Sequence, residues 1–210
     1  MQKKDFQIKN QYRCPKGHLG RQVAKQMNQG HKKLTLWGLT KIKIAPDSVI
    51  LDVGCGGGKT LTRLAQLSPH GTIFGIDHSP DMVEYSKKVN QKLIAQNRVQ
   101  IVLGTVEKMS FEDNYFDLVT AFESYYFWPN FQNALTEIKR VLKPGGRLSL
   151  VNEMVKDGLW EVKNAELIAE TNVHLIPLHQ IEDTMLSIGF ADAQVFRKTK
   201  SPWNAVLAQK

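Results

Sequence analysis

The sequence predicts an α/β protein: a mostly parallel sheet with helices on both faces and an antiparallel hairpin at the C-terminal end. Three observations predict it. From Pro46 onward, short apolar runs rich in β-branched residues alternate with segments of helical period, the mark of a parallel sheet. The first run, Val49–Val53, ends in the glycine-rich turn Gly54-Cys55-Gly56-Gly57-Gly58, and Leu61, Leu64 and Ala65 then begin a helical stripe. The last two runs, Phe190–Arg197 and Trp203–Ala208, follow one another across a turn at Ser201-Pro202 with no helix between them, so they read as a hairpin.

Each element has its own signals. Residues 1–45 precede the first strand and read as an N-terminal helical cap. Leu19, Val23 and Met27 recur at helical spacing ahead of Gly30, and Leu34, Trp37 and Ile42 suggest a second short helix. The helix after the glycine turn runs to about Leu67, where Ser68-Pro69-His70-Gly71 breaks it. Thr72–Ile76 is the second strand and ends at Asp77. Ser79 then reads as an N-cap, with Pro80 at the first position of a helix continuing towards Gln96. Val99–Leu103 and Phe116–Phe122 are the third and fourth strands. Phe131, Leu135, Ile138 and Leu142 form a helical stripe stopped by Lys143-Pro144-Gly145-Gly146, and Arg147–Val151 is the fifth strand. Ile181, Met185 and Ile188 mark a last helix, ended by Gly189. With the hairpin this makes seven strands in one domain, 1–210, divided into the cap, a core at 46–152 and a C-terminal part of the sheet at 153–210.

Composition narrows the class. The chain has 210 residues, 42% of them hydrophobic, enough for one substantial core. No run approaches the ~20 apolar residues of a membrane span, so no membrane partner is expected. Two cysteines far apart give no disulfide framework, and a reducing cytoplasm is the default location. Net charge is +8, but the basic residues are scattered, and no block of five or six like charges occurs. A solvated basic surface explains that better than a nucleic-acid track. Cys14 and His18 are half of a zinc set, yet the only other cysteine, Cys55, sits in the glycine turn, so no metal is expected.

The glycine turn carries the function. Residues without side chains let a ligand approach the backbone, and the following helix offers unpaired N–H groups. A dinucleotide fingerprint would need a third glycine at position 59 or 61, where Lys59 and Leu61 stand, so a nicotinamide dehydrogenase is disfavoured. The pattern present is Asp52-x-Gly54-x-Gly56-x-Gly58, and here the chain resembles the class I S-adenosylmethionine-dependent methyltransferases. Further segments carry the same resemblance in order. Asp77 ends the second strand about 20 residues on, where a carboxylate can accept ribose hydroxyls, though a helix cap alone is the alternative. Gly104-Thr105-Val106-Glu107-Lys108-Met109-Ser110-Phe111 is similar to the family segment after the third strand, with Thr105 where an aspartate is usual. Phe116-Asp117-Leu118-Val119 and Arg140-Val141-Leu142-Lys143-Pro144-Gly145-Gly146 are similar to two more.

The resemblance implies a Rossmann-like seven-stranded fold and S-adenosylmethionine as cofactor. It implies cofactor contacts at Asp52, Gly54, Cys55, Gly56, Gly58, Asp77, His78, Thr105, Val106 and Phe122. The acceptor site is expected where the segment Glu123–Trp128 leaves the fourth strand, with Tyr125, Tyr126 and Trp128 as walls and Glu153 as floor. The N-terminal residues His18, His31 and Trp37 are expected to close it as a lid that leaves cofactor affinity almost unaffected. Glu123 and Glu153 are the expected catalytic bases, with His18 and His31 behind them. The expected activity is methyl transfer to a small molecule by a monomer or homodimer. RNA is a disfavoured alternative acceptor, and a non-catalytic cofactor-binding module remains open.

Overall fold

In a computed structural model the chain is described at Gln11, residues 15–171 and residues 173–210. Seven strands form one sheet in the order β3-β2-β1-β4-β5-β7-β6: β1 Ile50–Val53, β2 Ile73–Asp77, β3 Val99–Leu103, β4 Phe116–Phe122, β5 Leu142–Asn152, β6 Asp192–Arg197 and β7 Asn204–Gln209. The first five strands pair parallel, and β7 runs antiparallel between β5 and β6. The expected α/β architecture with a closing hairpin is the observed one.

Among the described residues the helices are α1 Gly17–Gly30, α2 Lys32–Leu39, α3 Lys59–Leu67, α4 Pro80–Val89, α5 Gln91–Ala95, α6 Phe131–Val141, α7 Leu159–Lys163, α8 Ala165–Thr171 and α9 Leu178–Ile188, with a 3₁₀ turn at Tyr125–Phe127. They bury apolar residues on both sheet faces. Leu135 and Ile138 of α6 and Ile181 and Met185 of α9 pack with Val119 and Leu148 on one face. On the other, Leu34 of α2, Leu61 and Leu64 of α3 and Val83 of α4 pack with Ile50 and Leu118.

Two boundaries differ from expectation. The helix after Pro80 stops at Asn90 and restarts. The Asn90 side chain donates to the carbonyls of Gly58 (2.9 Å) and Ser86 (3.0 Å) and accepts from the Thr62 hydroxyl (2.9 Å), so the break ties this helix to the glycine turn. Strand β5 begins at Leu142, so Lys143–Gly146 belongs to the strand instead of preceding it. Its main chain pairs with that of Lys210, Gly145 N donating to Lys210 O and Lys210 N to Gly146 O, both at 2.9 Å. Helices α7 and α8 had no clear sequence signal. Leu159 and Val162 stay exposed, so they leave no amphipathic pattern to read.

The strand order reverses between β1 and β4: the chain steps outward from β1 to β2 and β3, then returns to the other side of β1. A crevice opens beyond the carboxyl ends of the strands at such a point. The segments Gly54–Gly58, Asp77-His78 and Glu123–Trp128 all emerge there.

Candidate functional site

The glycine turn takes its shape from left-handed backbone. Gly54, Gly56 and Gly58 have φ of 72°, 47° and 75°, a region that costs other residues strain. Each has a different neighbour. A Cβ on Gly54 would stand 2.7 Å from Ser124 Cβ, so this glycine lets β1 and β4 close up. A Cβ on Gly58 would strike Ser86 and Asn90 of the adjacent helix. At Gly56 the nearest atom would be 3.9 Å away, and this glycine borders a cavity of ≈ 270 Å³.

That cavity fits the expected cofactor. Asp77 is buried at its wall, Oδ2 accepting from Gly56 N (2.8 Å) and Oδ1 from Ser79 N (2.9 Å). A carboxylate has about four acceptor sites, so acceptor capacity remains for a ribose hydroxyl. Asp77 therefore braces the turn into the Ser79 N-cap and is also a cavity residue. Burial raises its pKa, partly offset by these backbone donors. Asp52 is also buried, accepts from the Thr120 hydroxyl at 2.7 Å, and is pushed up to about 7 by burial, with Asp77 adding to the rise. Two acids held in low dielectric are a favourable surrounding for a cationic sulfonium. Cys55 lines the same wall, and burial pushes its thiol well up, so it is a packing group and not a nucleophile.

Helix α1 closes the cavity. Asn28 Nδ2 donates to Gly57 O at 3.0 Å, and Ser79 Oγ donates to Pro15 O at 3.0 Å, fixing both ends of the helix to the cofactor side. Pro15, Ala24, Met27 and Asn28 border the larger cavity itself. Helix α1 therefore borders the cofactor side of the crevice as well as the acceptor side.

A second cavity, ≈ 180 Å³, lies alongside. Met27, His31, Glu123 and Phe127 border both cavities, so the two meet at these side chains. Glu123 follows β4 with φ 56°, a left-handed conformation unusual for a glutamate, and so turns its carboxyl inward. There it accepts from the Tyr126 hydroxyl and from Glu153 N. Burial, with the nearby charge of Glu153, pushes Glu123 up to about 7; His31, Tyr126 and the Glu153 N–H moderate the rise. His31 Nε2 lies 3.5 Å from Glu153 Oε1. Burial opposes charge on His31, but the hydrogen bond with Glu153 and the two carboxylates outweigh it and raise its pKa. Ligand atoms of His31, Glu123 and Glu153 lie within 4.8 Å of one another. This is the one grouping of metal-ligand type among the described residues, and sequence spacing gave no sign of it.

The expected site residues divide accordingly. Asp52, Gly54, Cys55, Gly56, Asp77, His78, Thr105, Val106, Phe122, Glu123, His31 and Trp128 border the larger cavity, and Glu153 and Tyr126 the smaller. Four others lie elsewhere. Gly58 serves the turn and its packing on α4. Tyr125 is buried in the core beside Phe131 (5.7 Å between ring centroids). Trp37 packs on Trp203 of the hairpin, 6.2 Å between centroids, because its face of α2 turns toward β7. His18 is exposed at the start of α1 and borders neither cavity. Cys14 lies outside the described residues. Phe127 lies within the expected segment Glu123–Trp128, whereas Met27, Asn28, Thr35 and Met82 were missed. Of these only Met27 had a signal, in the stripe that marked α1.

Comparisons with known proteins agree with this geometry. Residues 51–150 match the family described as "Methyltransferase domain". The demethylmenaquinone methyltransferase of Lactiplantibacillus plantarum is 39% identical over 112 residues, covering 52% of this chain and 47% of the relative. The sterol 4-C-methyltransferase strm-1 of Caenorhabditis elegans is 28% identical over 159 residues, covering 76% of this chain and 45% of the relative. The chain thus spans about half the length of the curated relatives it matches. Among solved structures, phosphoethanolamine N-methyltransferase 2 of Haemonchus contortus, in complex with phosphomonomethylethanolamine and S-adenosylhomocysteine, superposes with a TM-score of 0.80 at 18% identity, covering 98% of this chain and 59% of that one. The family match falls on the five parallel strands and the glycine turn, where the larger cavity opens. Residues 51–150 thus carry a methyltransferase domain, in a chain whose fold is that of the class I S-adenosylmethionine-dependent methyltransferases.

Proposed function

We propose that this chain transfers a methyl group from S-adenosylmethionine to a small molecule seated in the smaller cavity. One observation carries the reading: the two cavities meet at Glu123, His31, Met27 and Phe127, so an acceptor in one directly adjoins a donor in the other. The cofactor supplies an already activated methyl group, and the protein's task is then alignment and proton handling. The Asp77 carboxylate and the Gly54–Gly56 backbone orient the donor. Glu123, at the junction, is the group placed to take a proton from the acceptor, and His31 with Glu153 links it to solvent. Helix α1 and the segment Phe127–Pro129 exclude water from the meeting point.

The relatives' names favour small acceptors, since they include a sterol, a demethylmenaquinone and an ethanolamine phosphate. A cavity of ≈ 180 Å³ also admits a small molecule or the tip of one more readily than a folded RNA. Among the described residues no helix is long and apolar enough to cross a membrane. The test is incubation with methyl-labelled cofactor and fractionated cell extract. Label in the low-molecular-weight fraction is expected. Label confined to RNA would overturn the acceptor class, and cofactor binding without label anywhere would leave a non-catalytic module.

A further inference from the structure

We infer that the acceptor is an amine carried on an apolar body, bound as its ammonium ion between Glu123 and Glu153 in the smaller cavity. This rests on the methyl-transfer reading and adds the acceptor's chemical class.

Charge carries the inference. The chain as a whole is basic, at +8, yet among the described residues no lysine or arginine borders the smaller cavity, while two glutamates and a histidine do. Apart from Thr171, its other walls are apolar or aromatic: Met27, Tyr126, Phe127, Met154 and Val173. An acceptor bearing a carboxylate or phosphate would be desolvated against two carboxylates, with only the His31 imidazole, already paired with Glu153, to offset them. A thiolate would meet the same repulsion, and a neutral alcohol would gain no charge attraction from the two carboxylates. An ammonium group matches the site. It has N–H donors to spread over Glu123 and Glu153, whose carboxylates keep unfilled acceptor sites after Glu123 has accepted from Tyr126 and the Glu153 N–H and Glu153 has paired with His31. The aromatic rings of Tyr126 and Phe127 in the same cavity add attraction for a cation.

The chemistry balances. Glu123 takes one proton from the ammonium, freeing the nitrogen lone pair. That pair forms the new N–C bond as the methyl C–S bond breaks, and its electrons stay on sulfur, leaving neutral S-adenosylhomocysteine and a methylated ammonium. The proton on Glu123 leaves through Glu153 and His31, whose side chains keep 41% and 28% of their surface exposed. No oxidant or further reactant is required.

The test uses the full chain with S-adenosylhomocysteine bound, and four probes on one skeleton: 2-phenylethylamine, 2-phenylethanol, 2-phenylethanethiol and phenylacetate. Calorimetry is expected to show the amine binding about tenfold or more tighter than the alcohol. With S-adenosylmethionine, mass spectrometry is expected to find the methyl group on nitrogen. Glu153→Gln, at a half-exposed position that folding tolerates, is expected to erase most of that preference, and Glu123→Gln to lower kcat more than it raises KM. An amine that binds no better than the alcohol overturns the inference. Methylation of the thiol or carboxylate instead overturns it while leaving the methyl-transfer reading in place. Failure to bind S-adenosylhomocysteine at all would remove that reading and this inference together. Mn²⁺ that binds wild type, is lost in both variants and is required for probe binding would assign the three side chains to a metal, and so also overturn it.

Discussion

The two ends of the crevice are built from different materials. At the donor end the main chain does most of the shaping: three left-handed glycines, the start of α3 and one strand-end carboxylate, all within residues 52–79. At the acceptor end side chains from three separated segments converge, with His31 following α1, Glu123 following β4 and Glu153 following β5. A main-chain site needs particular residues at fixed spacing, because only glycine adopts the required φ without strain. A side-chain site needs only that the fold bring its parts together. The difference predicts that donor-end substitutions act on cofactor binding with near-absolute effect, whereas acceptor-end substitutions act on pH dependence and turnover.

The largest expected effect is at the donor end. Gly56→Val places a branched side chain in the cofactor cavity at φ 47° and should weaken S-adenosylhomocysteine binding by more than about a hundredfold, while strain costs about 1–3 kcal/mol of stability. Calorimetry and thermal melting separate the two; a folded variant that still binds would make Gly56 a turn residue only. Asp77→Ala comes next. It removes acceptors from Gly56 N, Ser79 N and the ribose, and should weaken binding about ten- to a hundredfold and lower the melting temperature as well. A change in melting temperature alone would restrict Asp77 to capping.

The acceptor end should show itself in pH. Glu123 titrates near 4.5 when unfolded and about 7 when folded, since burial favours its neutral form. Its contribution to stability is therefore complete below about pH 4.5 and is lost as pH rises to about 7, a change of a few kcal/mol at most. Asp52, raised to about 7 for the same reason, adds a parallel slope. Melting the cofactor-free protein from pH 5 to 8 should show stability falling, and Glu123→Gln should remove part of that fall. An unchanged slope would mean that the carboxyl ionises freely in the fold.

The smallest pair of effects tests the boundary between the ends. Asn28→Ala loses one hydrogen bond to Gly57 O and should weaken cofactor binding by a few fold, about 0.5–1.5 kcal/mol. Trp37→Ala should leave cofactor affinity and turnover unchanged and act only on stability, because its ring packs on Trp203. A loss of turnover in a stable Trp37→Ala protein would mean that the lid extends further than the cavity walls show.

The sequence by itself determined the sheet, its closing hairpin, the nature of the glycine turn and the place of Asp77, because these depend on local backbone preferences and periodicity. It also put Glu123, Glu153 and His31 among the candidate residues, though without their mutual arrangement. Tertiary structure alone decided that these three share one junction, that α1 forms a wall of the cofactor cavity, and that Trp37, Tyr125, His18 and Gly58 stand away from both cavities. The physical reason is the range of the interactions. A glycine's φ and a helix cap are fixed within a few residues of chain. The direction of an aromatic side chain, and the charge that surrounds a buried carboxyl, depend on which face meets which neighbour across more than a hundred residues of sequence.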